Sequence, residues 1–105
     1  MKLVNAFSFN MVTDNEGNVR FCELNKNQAK ELLMKGGFES AVGHADTAKV
    51  FSNVLDMDIP CERVNVFLKK GDACVLGQYK GPRLQEGATR LPEGARIVWY
   101  HIIME

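Results

Sequence analysis

The nine residues 96–104, RIVWYHIIM, carry apolar side chains at both odd and even positions, and this constrains the fold more than any other stretch of the chain. A strand with one wet face alternates apolar and polar residues, so a strand that is apolar at both parities has to be covered on both sides. Residues 96–104 therefore read as a central strand rather than an edge. The remainder of the chain has to supply its neighbours and its cover. With 105 residues, 46% of them hydrophobic, it is the size of one ordinary domain with a genuine core, and one domain over 1–105 is the expectation.

Residues 2–9 are short and β-prone, TDNEGN (13–18) is turn chemistry, and VRFCEL (19–24) reads as the next strand. NKNQAKELLMKGG (25–37) has both ends of a helix. Asn25 can cap, Gln28 follows three residues on, Ala29, Leu32 and Leu33 share a face, and Gly36-Gly37 stops it. A second helix is expected over residues 45–56, where Ala48, Phe51, Val54 and Leu55 repeat the three-four spacing and Pro60 bars continuation. RVNVFLKK (63–70) alternates Val64, Val66 and Leu68, and Lys70-Gly71-Asp72 predicts a hairpin turn into ACVLGQY (73–79). Together these give an α/β fold, a mixed sheet of about five strands flanked by helices. Before the last strand lies KGPRLQEGATRLPEGA (80–95), rich in Gly, Pro and charge, with no periodicity. Irregular loops of that length in a small domain are usually functional, and this one is the lid candidate.

Thirteen Lys+Arg balance thirteen Asp+Glu, so no basic surface is expected that would grip long DNA or RNA; an anionic ligand has to be caught locally. The three cysteines, Cys22, Cys61 and Cys74, are scattered and form no C-x-x-C pair. Neither a disulfide framework nor a zinc site is expected, and a reducing cytoplasm fits. Burial in strands is the expectation for Cys22 and Cys74. Neither a signal-peptide core nor an eighteen-residue apolar span occurs, so no membrane partner is expected. No phosphate-cradling or dinucleotide glycine motif and no H-E-x-x-H is present, and no metal or cofactor is expected.

Of the two histidines, His44 sits behind Gly43 at the mouth of the second predicted helix. Free N–H groups at a helix start attract phosphate, and an imidazole beside a phosphate can hand a proton to a leaving oxygen. Packing or capping is the plainer role for such a residue. His101 lies inside the apolar strand and reads as structural. Arg83 and Glu86, three apart in the long loop, offer a phosphate clamp and a carboxylate, or else a solvated surface pair. Lys80 and Arg90 could add local positive charge.

Three stretches, NAFSFNM (5–11), SAVGHADTA (40–48) and GPRLQEG (81–87), resemble the signatures of one family, the small viral anti-CRISPR ring nucleases. The resemblance runs nearly end to end. It implies a homodimer that binds cyclic tetra-adenylate across its interface and cleaves it, without metal, to linear di-adenylate with 2′,3′-cyclic phosphate ends, which switches off type III CRISPR signalling in the host cytoplasm. It also implies roles: His44 as general acid, Arg83 on phosphate charge, and Glu86 positioning ribose. Leu84 falls in the closing loop, and Asn5, Ser8 and Gln78 match positions that line the ligand pocket, while Gly43 and the helix start are read as holding phosphate. Two other readings stay open, a binding module that sequesters a cyclic oligonucleotide without cutting it, and a protein-interaction domain in which His44 is structural.

Overall fold

A computed structural model describes all 105 residues. Strand β1 (Lys2–Val4) is followed by a short 3-10 turn (Phe9–Met11), β2 (Val19–Leu24), helix α1 (Lys26–Gly36), β3 (Glu39–Ala41), helix α2 (Ala45–Leu55), β4 (Ala73–Lys80) and β5 (Arg96–Met104). One sheet collects all five strands in the order β2-β5-β4-β1-β3. β1 pairs in parallel with β3 and β4, whereas β5 runs antiparallel to both β2 and β4. Four strands therefore point one way and β5 alone points back. That direction puts the starts of α1 and α2, the residues after β1 and the loop after β4 at a single edge of the sheet.

The α/β expectation holds, with the helices where the spacing places them. α1 starts because Asn25 and Gln28 cap each other: the Gln28 N–H donates to Asn25 Oδ1 and the Asn25 N–H to Gln28 Oε1, both at 2.8 Å. α2 ends at Asp56, which takes a left-handed conformation (φ 51°) that short polar side chains tolerate. Both helices cover the same face. Ala29 and Leu33 of α1 and Ala48, Phe51 and Leu55 of α2 bury against Leu3, Val75 and Trp99 of the sheet. Within this layer the rings of Phe51 and Trp99 lie 5.0 Å apart, directly over Gly77.

The opposite face is covered by irregular chain. Val4, Cys74, Leu76, Ile102 and Met104 pack beneath Leu68, with Phe7, Met11, Val12 and Val66 alongside. β5 is thus flanked by β2 and β4 and clothed on both sides, which is why its apolar residues occur at both parities.

Three expectations are corrected. Residues 63–70 form no strand and no hairpin with β4. The Lys69–Asp72 turn exists, with the Asp72 N–H donating to the Lys69 carbonyl at 2.9 Å and the Lys69 N–H to Asp72 Oδ2 at 3.0 Å. However, β4 already has β1 and β5 on its two edges. The segment instead crosses the second face and finds its partner in residues 11–13: the Leu68 N–H donates to the Met11 carbonyl at 2.7 Å and the Thr13 N–H to the Leu68 carbonyl at 2.9 Å. The fifth strand is supplied by β3, three residues too few to give a periodic signal. Its outer side is shielded by residues 60–62, where Ser40 Oγ donates to the Pro60 carbonyl at 2.6 Å and the Glu62 N–H to the Val42 carbonyl at 2.9 Å. Second, the first strand stops at Val4 rather than running to residue 9, because Phe9–Met11 turns into the 3-10 segment. Third, Cys22 is exposed despite lying in a strand, since β2 is an edge strand that the helices do not cover; Cys61 is exposed as well, and only Cys74 is buried.

Gly77 has a steric reason. A Cβ there would meet Trp99 Cζ3 at 2.5 Å and Phe51 Cζ at 2.7 Å. The Gly77→Ala substitution is expected to cost about 1–3 kcal/mol through overpacking, read as a lower urea midpoint at unchanged slope. Burial pushes the Cys74 thiol up to about 11, so it stays protonated at neutral pH. In native protein iodoacetamide should label Cys22 and Cys61, and Cys74 only after unfolding, as counted by mass spectrometry.

Candidate functional site

The sheet edge where strands β1 to β4 end is where open α/β sheets ordinarily bind ligands. Asn5 leaves β1 there, and Gly43 and His44 lead out of β3 into α2. The two helices that begin at this edge differ in one respect. α1 is closed by its reciprocal caps, whereas α2 has His44 at its cap position with no side-chain bond to the first turn. The His44 carbonyl accepts the Ala48 N–H at 2.9 Å, while its exposed imidazole is left out of the cap. The first N–H groups of α2 therefore keep their capacity for an anion.

A cavity of about 660 Å³ opens beside this helix start. Asn5 and Gly43 line it as expected, and Asn10, Arg63 and Asn65 add polar groups to a wall completed by Phe67. Arg63 is held in place: its Nε donates to the Gly43 carbonyl at 2.8 Å, which joins the irregular segment to the residue in front of His44. Ser8 lines none of this wall, but it begins the 3-10 turn that carries Asn10 and Met11 there, with the Met11 N–H donating to the Ser8 carbonyl at 3.0 Å.

Arg83 and Glu86 meet elsewhere, on a cavity of about 580 Å³ formed within the long loop, together with Arg90. The loop is narrow at its neck. Gly81 packs so closely on Ala95 that a Cβ on the glycine would lie 2.7 Å from the alanine Cβ, and Tyr79 Oη donates to the Pro82 carbonyl at the same point. Two internal bonds fold its length, from the Ala88 N–H to the Gln85 carbonyl and from the Ala95 N–H to the Pro92 carbonyl, each at 3.0 Å. Its tip is tied to the body by the Gly87 N–H, which donates to Asp46 Oδ1 at 3.2 Å. Asp46 stands two residues after His44. That bond draws the Arg83–Glu86 loop to the helix start that presents the imidazole.

The expected residues thus fall into two neighbouring sets joined through α2, Asn5 and Gly43 on the first cavity, Arg83 and Glu86 on the loop, with His44 between them in sequence and at the helix mouth. Gln78, exposed on β4 opposite Val98, and the half-buried Leu84 line neither cavity. Sequence reasoning missed Arg63, Asn65 and Asn10. The alternation of Val64 and Val66 assigned the first two to a ladder, and only the structure shows that this segment is a wall. Asp46 lies inside the expected helix over 45–56, and nothing in its sequence neighbours points to its bond with Gly87. No cluster of three or more His, Cys, Asp or Glu able to hold a metal occurs. No helix is long and apolar enough to cross a membrane.

A family model described as STIV B116-like matches residues 1–96. "Uncharacterized protein 26" of Sulfolobus islandicus filamentous virus (isolate Iceland/Hveragerdi) is 46% identical over 65 residues, 62% of this chain and 54% of that protein, so the match spans about half the length of that relative. Among solved structures, B116 of Sulfolobus turreted icosahedral virus superposes with a TM-score of 0.81 at 24% identity, covering 97% of each chain. At that identity the likeness speaks for the fold alone.

The latch can be tested apart from any activity. In Asp46→Ala the Gly87 amide should exchange with solvent faster, by hydrogen-exchange NMR, and α2 should lose under about 1 kcal/mol of dipole stabilisation. In Asp46→Asn the Oδ1 acceptor remains, and Gly87 should stay protected. Equal loss of protection in both variants would mean that the charge, not the hydrogen bond, holds the loop.

Proposed function

The chain belongs to the STIV B116-like family of viral proteins, and we propose that within it this chain is a metal-independent ring nuclease that cleaves cyclic tetra-adenylate and so antagonises type III CRISPR signalling. The observation that carries the reading is the junction at Gly43–His44. An uncapped helix start, a cavity lined by Asn5, Asn10 and Arg63, and a loop bearing Arg83 and Glu86 all attach within three residues of one imidazole. The three motifs that resemble the ring nucleases are the three segments that meet there.

In this reading the 2′-hydroxyl of one adenosine gives up its proton to water as it attacks the neighbouring phosphorus, a P–O bond forms, and the bond to the departing 5′ oxygen breaks. The products are a 2′,3′-cyclic phosphate and a 5′-hydroxyl, and two such cuts give two di-adenylates. The chain's own groups have modest tasks because the ligand carries its nucleophile. His44 donates the proton that the 5′ oxygen needs. Arg83 offsets the charge that builds on the phosphate, Glu86 orients ribose, and the α2 N–H groups with Arg63 hold the backbone of the ring. Amide side chains at Asn5, Asn10 and Asn65 suit the donor and acceptor edge of adenine.

A ring of four nucleotides exceeds one such cavity, and a two-fold ligand suits two copies of it. The rim supports a dimer: Phe67 and Val64 are 66% and 49% exposed beside the cavity, and Phe9 in the adjoining turn is 75% exposed. In the host cytoplasm the dimer would close over the ligand with its two loops.

The test is single-turnover cleavage of labelled cyclic tetra-adenylate with EDTA present, products resolved by length and end group. His44→Ala should cut at least about 10²-fold more slowly while binding is kept. Arg83→Ala should lose about 10²–10³-fold. A wild type that binds the ring and never cuts it would make the protein a sequestering module, and one that does not bind it would leave the protein-interaction reading.

A further inference from the structure

We propose that the cleft at the start of β5 is a second, separate binding site, and that its ligand is a small organic phosphate. The cleft has a volume of about 520 Å³, within the usual range for small-molecule sites, and Lys26, Lys80 and Arg96 line it against a single carboxylate, Glu23. In a chain whose charges cancel overall, this is a local excess of positive charge. None of the three cations is spent on an ion pair, since those formed are Lys2 with Glu39 and Arg20 with Glu105.

The placement of two of these cations is costly in the absence of a ligand. Lys80 and Arg96 are direct cross-strand partners on the antiparallel β4–β5 pair, and like charges in that position repel. Residues that break a local rule with no compensation in the folded chain are where a ligand is expected. The same end of β5 is open on its other side. Pairing with β2 stops at Leu24 opposite Trp99, so residues 96–98 have a neighbour on one edge only. α1 starts beside this gap, and Leu91 of the long loop closes over it.

The lining dictates the class of ligand. Arg96 offers a planar fork and two lysines offer point charges, a set that suits phosphate oxygens. Leu24, Ile97 and Leu91 give an organic body apolar surface to lie on. The proposal does not rest on the ring-cleavage reading, because none of Asn5, Gly43, His44, Arg83 and Glu86 lines this cleft.

The experiment uses inorganic pyrophosphate as the probe of the charged part, titrated calorimetrically into the full chain at low ionic strength, with sulfate at matched ionic strength as the control. Wild type should bind pyrophosphate at a saturable site that Lys80→Gln and Arg96→Gln each weaken at least tenfold, while Lys35→Gln, in the last turn of α1 and outside both cavities, binds as wild type does. Without ligand, Lys80→Gln and Arg96→Gln should melt above wild type, because each removes the opposed charge; a merely solubilising pair would not move both readouts. Absence of saturable binding in wild type, affinity retained in Lys80→Gln, an equal loss in Lys35→Gln, or unliganded variants no more stable than wild type would each overturn the proposal.

Discussion

Everything at the functional edge of this protein depends on one contact, the packing of Phe51 against Trp99 over the bare backbone of Gly77. Phe51 is the largest fully buried side chain, and it stands in the middle of α2. By filling the space where any other residue at position 77 would put a Cβ, the two rings fix how close α2 sits to β4 and how far along it the helix lies. The helix start, with Gly43 and His44, is thereby set relative to the end of β4, where the long loop begins three residues past Gly77. A pair of aromatic rings of this kind contributes about 0.5–1.5 kcal/mol beyond its buried area. Its larger effect is positional, because the loop neck at Gly81–Ala95 and the latch at Asp46–Gly87 close only if helix and strand keep this spacing.

The parts of the fold that were legible in the sequence are those whose burial is regular. RIVWYHIIM announced a strand covered on both sides, and it is flanked by β2 and β4 with helices above and irregular chain below. Asn25 and Gln28 announced α1, and Pro60 with the spacing of Ala48, Phe51 and Leu55 announced α2. Failure came where burial is not periodic. Val64, Val66 and Leu68 alternate as a strand would, yet Val64 faces a cavity, Leu68 plugs the second face, and the backbone finds its partners in residues 11–13. Alternation reports sidedness, not pairing, and a segment laid flat over a sheet is as two-sided as a strand inside one. β3 was invisible for the opposite reason: three residues are too short to carry a period.

Legibility of the candidate site follows the same division. Gly43-His44 could be read because a glycine, an ionisable ring and a helix start are adjacent in the chain, and Asn5 because it lies in a motif. Arg63 could not, since its importance comes from a bond to the Gly43 carbonyl twenty residues away. Asp46 is an acid in the first turn of α2, and its bond to Gly87 spans 41 residues. Side chains whose role is to join segments leave no local signal.

The two helices share an origin at one edge of the sheet but end their backbone accounts differently, and the difference bears on what that edge can do. α1 satisfies the Gln28 N–H through Asn25 and the Asn25 N–H through Gln28, so side chains of its own first turn close part of its start. α2 places a histidine where a serine or aspartate would cap better, forgoing about 0.5–2 kcal/mol of helix stability. A domain of this size has little reserve for such a loss. The loss is intelligible if the groups left open are used: the N–H donors by an anion, the imidazole by the same anion's leaving oxygen. Asp46 restores part of the stability from two residues on, as an acid in the first turn, and turns the same carboxylate toward the loop. Stability at this corner is therefore recovered by a residue that also positions Arg83 and Glu86, which ties the strength of the helix start to the placement of the loop over it.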